Sequence, residues 1–225
     1  LQPYTCGGLV ANPNCSTIGL VLALKPLHDA FDLDAVQAVT LQAVSGAGWP
    51  GVSALELVDN VIPFIEGEEE KIEQETRKIL GNLSSGQLSL PEFPLSAQCN
   101  RVPVLDGHLI CVSVRFQNKA NEQDIRSAWA SFQGEPQDLQ LPSAPAHPIH
   151  WRPEADAPQP RLHRDAEKGM SVSVGRLRPC PVLGHRFSVL SHNTVRGAAG
   201  GAVLAAELAV ARGHLRGPLA RHGEA

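Results

Sequence analysis

Cys15, Arg101 and His108 are residue types that could attack a carbonyl, grip a carboxylate and move a proton. Cys15 follows Asn12-Pro13-Asn14, a turn suited to capping a helix, and precedes the apolar run Ile18 to Leu27. Short polar side chains accept from the unpaired amides of a helix start, and those amides favour negative charge. A thiol placed there is expected to form a thiolate readily, and the thiolate is the species that attacks a carbonyl carbon. Arg101 offers a planar two-point grip on a carboxylate, and His108 titrates near neutrality, as proton transfer requires. Glu68 and Lys71, three residues apart on one helix face, suit a zwitterionic or phosphorylated ligand. Each also has a plainer reading in isolation. Cys15 can be a small buried hydrophobe, the glutamates a solvated face, and Arg101 and His108 a surface ion pair and a turn histidine.

The elements that must position these residues follow from periodicity. A helix starts at Cys15 with Pro26 near its end, and the β-branched stretch Val36 to Val44, with Gln42 near its end, predicts a buried strand. Ser45 to Gly51 is a Gly- and Pro-rich loop at a strand end, where ligands are often met. Val52 to Asn60 predicts a short helix. Gly67 to Leu80 predicts a longer one, whose early glutamates and late Arg77 and Lys78 complement the helix dipole. Leu88 to Ala97 reads as irregular or as an edge. Leu109 to Phe116 alternates as a strand, and strands paired across the Asp106-Gly107 turn would bring Arg101 and His108 to one sheet end. Asn121 to Phe132 is an amphipathic helix. Residues 134–161 carry seven prolines and read as an extended loop. Met170 to Arg178 and Arg186 to Leu190 predict strands, and Thr194 to Arg212 a helix followed by a basic tail. Its Gly197-Ala198-Ala199-Gly200-Gly201 lacks the spacing of a dinucleotide-binding fingerprint.

Composition bounds the partners. A hydrophobic share of 43% supports a packed core, and a net charge of −4 offers no broad basic field for nucleic acid. The five cysteines, at 6, 15, 99, 111 and 180, are odd in number and lack metal-like spacing, so free thiols, a reducing compartment and no metal are expected. Ile18 to Leu27 is too short to span a bilayer and has no basic segment before it, so a cytoplasmic protein is expected. Leu1 is not a methionine and the candidate nucleophile comes within fifteen residues, which suggests part of something longer.

Six segments in order resemble aspartate-semialdehyde dehydrogenases of the archaeal and fungal branch. They are Asn12 to Thr17, Thr40 to Gly48, Gly67 to Lys71, Cys99 to Pro103 with Asp106-Gly107-His108, Pro158 to Arg161, and Ser191 to Gly201. The resemblance runs from about Gly7 to Gly213. It implies an α/β catalytic domain of the glyceraldehyde-3-phosphate-dehydrogenase-like kind, a mixed sheet with helices on one face, over 1–190. Residues 191–213 would form a helix returning to a cofactor domain, and 214–225 a basic tail.

That family pattern implies that Cys15 is the nucleophile, His108 the acid–base residue and Gln42 the group that orients the reacting centre. Arg101 would bind the substrate carboxylate, Glu68 its amino group and Lys71 its phosphate, with Asn14 beside them. Ser45, Gly46, Asn193 and Gly197 would lie near NADP. The reaction implied is reduction of β-aspartyl phosphate to aspartate semialdehyde through a thioester, in a homodimer or homotetramer. Two positions depart from the pattern: His163 and Gly184-His185 stand where acidic residues are expected. The larger departure is the family's N-terminal Rossmann half, which this sequence lacks and without which the chain should be inactive. A malonyl-CoA reductase is the alternative within the fold, against which Glu68 weighs, and a non-catalytic dimerisation domain is the alternative outside it.

Overall fold

Ile110, Val112 and Val114 are buried while Cys111 and Arg115 between and beyond them are exposed, so the central strand has one core face and one open face. The computed structural model describes residues 9–214. In chain order it begins with α1 (Cys15–Phe31), β1 (Leu33–Gln42), α2 (Ala54–Leu57) and α3 (Glu68–Ile79). Then come β2 (Asn82–Ser84), β3 (Gln87–Ser89), β4 (Leu95–Arg101) and β5 (His108–Phe116). The remainder is α4 (Glu122–Ser131), α5 (Glu135–Asp138), β6 (Ile149–Arg152), α6 (Pro160–His163), β7 (Val172–Cys180), β8 (Gly184–Ser191) and α7 (Gly200–Ala211).

Six strands form one mixed sheet in the order β4-β1-β5-β8-β7-β6, and β2 pairs with β3 as a separate hairpin. The outermost pairs, β1 with β4 and β6 with β7, are parallel; the inner ones are antiparallel. Helix α1 lies along the sheet between α3 and α4, which fits the expected mixed sheet with one helical layer. Leu20, Leu24 and Leu27 of α1 meet Val112, Phe187 and Val189 in one apolar core, and the Trp129 indole of α4 donates to the Ala23 carbonyl at 2.9 Å.

Several expectations need correction. The Asp106-Gly107 turn does not close a hairpin: β1 is inserted between β4 and β5, parallel to one and antiparallel to the other. Arg101 still reaches the His108 end of the sheet, because it is registered with Gln42 at the end of β1. Helix α1 runs to Phe31 with Pro26 near its end, as expected, and Leu24 and Leu27 are buried on either side of the proline. The Pro-rich stretch is not all loop, since α5 forms there and β6 joins the sheet edge. The glutamates of α3 are not merely a solvated face. Glu69 accepts from the Cys99 amide at 2.9 Å and Glu73 from the Ala97 amide at 3.0 Å, which covers the free amides of edge strand β4.

Past β8 the expected continuous helix is broken. Gly197 N–H donates to the His192 carbonyl and Ala199 N–H to the Thr194 carbonyl, a widened π-helical turn over Val195–Ala199 that precedes α7. The short helix expected over Val52 to Asn60 forms only as α2. The four cysteines among the described residues are free; Cys6 and most of the basic tail lie outside them. Among the described residues no helix is long and apolar enough to cross a membrane.

Candidate active site

The first turn of α1, the end of β1, the end of β4 and the start of β5 converge. Asn14 caps α1, its Oδ1 accepting from the Ser16 and Thr17 amides at 2.8 and 3.2 Å, which sets Cys15 as the first helical residue. Cys15 Sγ lies 3.2 Å from Nε2 of His108, and the other ring nitrogen, Nδ1, accepts from the Ala43 amide at 3.0 Å. His108 is wholly buried. Nucleophile and imidazole are therefore within reach of one another, and the imidazole is oriented by a third group.

The electrostatics correct one expectation. The Cys15 and Ser16 amides and Arg101 do favour the thiolate, as a helix start should, but burial and the nearby Glu68 carboxylate outweigh them. The Cys15 thiol is pushed up to about 11. Burial pushes His108 down to about 3, aided by Arg101 and His192 and opposed by Asp106. Burial thus favours the neutral form of each group.

Glu68 is the most heavily engaged carboxylate of the site. Asn14 Nδ2 donates to both its oxygens at 2.8 and 2.9 Å, Gln42 Nε2 to one at 3.1 Å, and Lys71 Nζ stands 3.9 Å away. Its side chain is 13% exposed, so it is desolvated yet reachable. Lys71 is 56% exposed on the same face, the arrangement expected from the three-residue spacing. Gln42 is buried, and besides Glu68 its amide meets Thr40 Oγ1 at 3.3 Å. Both ends of the Asn14 amide are occupied, one by the cap and one by Glu68.

Arg101 is nearly buried. One guanidinium nitrogen donates to the Ala43 carbonyl at 2.7 Å, while Nε has no partner, so it holds donor capacity in reserve. Gly46 lies over both of these side chains: a Cβ there would stand 3.0 Å from the His108 ring and 3.1 Å from the Arg101 guanidinium. Ser45 and Gly46 are exposed. Asn193 is buried, its Oδ1 accepting from the Gly107 amide and its Nδ2 donating to Ser45 Oγ, both at 2.8 Å. Gly197 touches Cys15 itself. Asn193 thus contacts the loops after β1 and before β5, and Gly197 the start of α1.

Sequence reasoning passed over Ala43, whose two backbone groups hold His108 and Arg101, and Glu75, which accepts from the Asn14 amide at 2.6 Å. Glu75 lies seven positions after Glu68 and so on the same helix face, a signal present in the spacing. Among the described residues no group of three or more His, Cys, Asp or Glu could hold a metal ion.

A family model described as semialdehyde dehydrogenase, dimerisation domain, matches residues 24–196. The chain belongs to this family. An aspartate-semialdehyde dehydrogenase from Methanothermobacter thermautotrophicus is 49% identical over 204 residues, covering 90% of this chain and 59% of the relative. One from Schizosaccharomyces pombe is 49% identical over 213 residues, covering 92% and 60%. The solved structure of aspartate semialdehyde dehydrogenase with NADP from Candida albicans matches with a TM-score of 0.82 at 44% identity, over 90% of this chain and 57% of that one. The chain spans about three-fifths of the length of the curated relatives it matches. Among the described residues of this semialdehyde dehydrogenase dimerisation domain, Gln37, Cys111, Arg115 and Arg186 are exposed along one face of the sheet.

Proposed function

We infer that this chain forms the acyl-transfer site and the self-assembling part of an aspartate-semialdehyde dehydrogenase, which converts β-aspartyl phosphate to aspartate semialdehyde. The observation that carries this reading is Cys15 Sγ at 3.2 Å from His108, with Arg101 and Glu68 both acting electrostatically on the same sulfur. A cation and an anion flanking one nucleophile suit a substrate that bears both a carboxylate and an ammonium group. Arg101 would grip the remote carboxylate, Glu68 the amino group and exposed Lys71 the phosphate, holding the acyl carbon before the sulfur. The thiolate forms a C–S bond as phosphate leaves with the C–O electron pair, giving a thioester. Glu68 also argues against a malonyl substrate, which has no amino group to meet a carboxylate.

Ser45 and Gly46 fit the reactive end of NADP, because a bare backbone over His108 and Arg101 leaves that edge open where any side chain would crowd it. When bound, the cofactor supplies hydride. Asn193 stands behind that edge and holds it through Ser45, while Gly197 lies against Cys15. We place the catalytic and assembly functions in residues 1–190 and the return toward the cofactor-binding part in 191–213. The open sheet face is the surface for a homodimer, or for one layer of a homotetramer, in the cytoplasm.

The test is a phosphate-dependent NADP reduction assay with aspartate semialdehyde, using this chain joined to the cofactor-binding part of its full-length protein. Activity that requires phosphate and is abolished by Cys15→Ser is expected. Turnover that survives the substitution would sink the reading.

A further inference from the structure

Helix α3 holds more of the site than its two substrate-facing side chains. Glu69 and Glu73 accept from the amides of Cys99 and Ala97 on β4, the strand that ends in Arg101. Glu75 accepts from the amide of Asn14 at 2.6 Å, one residue before the nucleophile. Seven residues separate Glu75 from Glu68, which brings both to one face of α3, the face turned to the start of α1. Glu75 is half-buried and, among the described residues, in no ion pair, although Lys71 lies one turn before it. Its carboxylate goes to a backbone N–H instead.

That bond completes the cap of α1 from outside the helix. In a capping box the N-cap side chain accepts from the amide of the third helical residue, and a Glu or Gln there returns a bond to the N-cap amide. Asn14 makes the first of these bonds, but the third residue is Thr17, whose hydroxyl is buried without a partner. Glu75, on another helix, supplies the second. The remaining groups of Asn14 are engaged as well: its carbonyl accepts from the Ile18 amide at 3.1 Å, and its Nδ2 donates to Glu68. The turn before Cys15 is thus clamped to α3 at two points, one through a side chain and one through the backbone.

Resting on the reading of Cys15 as the acyl-carrying nucleophile, we propose that Glu75 is a positioning residue whose bond to the Asn14 amide sets the sulfur in place against Glu68, Lys71 and Arg101. The nucleophile and the groups that grip the substrate are then referred to one helix. Without that bond the Asn14 amide loses its acceptor and the turn can shift, while Arg101, Glu68 and Lys71 still hold the substrate. Position 75 must supply an acceptor oxygen at the reach of a glutamate; a charge is not required. A substrate held in front of a displaced sulfur lowers kcat more than it raises KM, and a displacement of about 1 Å can cost about a hundredfold.

The test is steady-state kinetics of the full-length protein with three variants at this position. Glu75→Gln keeps the reach and the acceptor without the charge, Glu75→Asp keeps the charge but falls one carbon short, and Glu75→Ala keeps neither. In the alanine and aspartate variants kcat should fall by about ten- to a hundredfold with a much smaller change in KM, and the glutamine variant should recover most of the loss. Wild-type kcat in Glu75→Ala, or an aspartate variant more active than the glutamine one, overturns the proposal. Where Glu75→Ala does not fold, the comparison of aspartate with glutamine decides. Amide hydrogen exchange at Asn14 gives a second readout: faster in Glu75→Asp than in wild type, and close to wild type in Glu75→Gln. Equal exchange in all of them overturns the proposal too. Exchange is read without substrate, so it is separable from the catalytic reading, which fails instead if turnover survives Cys15→Ser.

Discussion

Gly197 lies directly on Cys15: a Cβ at position 197 would stand 2.8 Å from the Cβ of the cysteine and 3.1 Å from its Cα and carbonyl oxygen. The atoms it would strike are backbone and the root of the nucleophile, so nothing flexible can give way. The widened turn after β8 is therefore part of the site's construction.

Gly197→Ala should shift either the turn or Cys15. Overpacking of this kind costs about 1–3 kcal/mol, which denaturant unfolding will measure. Alkylation of Cys15 should change in the same variant while that of exposed Cys111 does not. An unaltered midpoint and unaltered alkylation would show that the turn is free to withdraw.

Arg101→Lys keeps the charge but removes the fork and the partnerless Nε. A lysine cannot hold the Ala43 carbonyl and a carboxylate in the same plane. Steady-state kinetics of the full-length protein should show kcat/KM lower by at least about a hundredfold, roughly 2.7 kcal/mol of transition-state stabilisation. Wild-type kinetics would remove Arg101 from the substrate site.

Glu68→Gln should produce opposite effects on reactivity and binding. The Glu68 carboxylate raises the Cys15 pKa, so its removal increases the thiolate fraction at any pH well below the midpoint, by about tenfold for each pH unit that the midpoint falls. The alkylation profile of Cys15 should move to lower pH, while KM for the amino-bearing substrate rises. A profile that stays in place contradicts the electrostatic role assigned to Glu68.

Stability should fall in acid through His108. Its folded pKa lies below its ordinary value of 6.5, at about 3, so between those values the unfolded chain binds a proton that the folded chain refuses. The contribution is fully present above pH 6.5 and is lost as pH falls, by about 1.4 kcal/mol for each pH unit. Urea titrations of wild type and His108→Gln, compared between neutral pH and about pH 5, should show the steeper loss in wild type. Parallel curves would mean that His108 titrates normally.

Local signals carried much of the site. Asn14 before Cys15 marked a capped helix start, and the spacing of Glu68 and Lys71 placed them on one face. The β1 insertion between β4 and β5 was not visible, because Asp106-Gly107 reads as a hairpin turn and only long-range pairing decides otherwise. Strand β6 was hidden for a related reason: prolines at 145, 148 and 153 signal loop, yet an edge strand of four residues fits between them. The high pKa of Cys15 was also out of reach, since local sequence reports the helix amides but not the burial and the Glu68 charge that outweigh them. The role of Ala43 lies wholly in its backbone, where residue type is silent.

The acyl-carrying role of Cys15 can be read by intact-mass and peptide-mass spectrometry of the chain after mixing with β-aspartyl phosphate. One aspartyl group should appear as a hydroxylamine-labile thioester on Cys15, with an equal amount of phosphate released and no adduct in Cys15→Ser. No adduct, or aspartyl groups distributed over Cys99, Cys111 and Cys180 instead, would contradict that role.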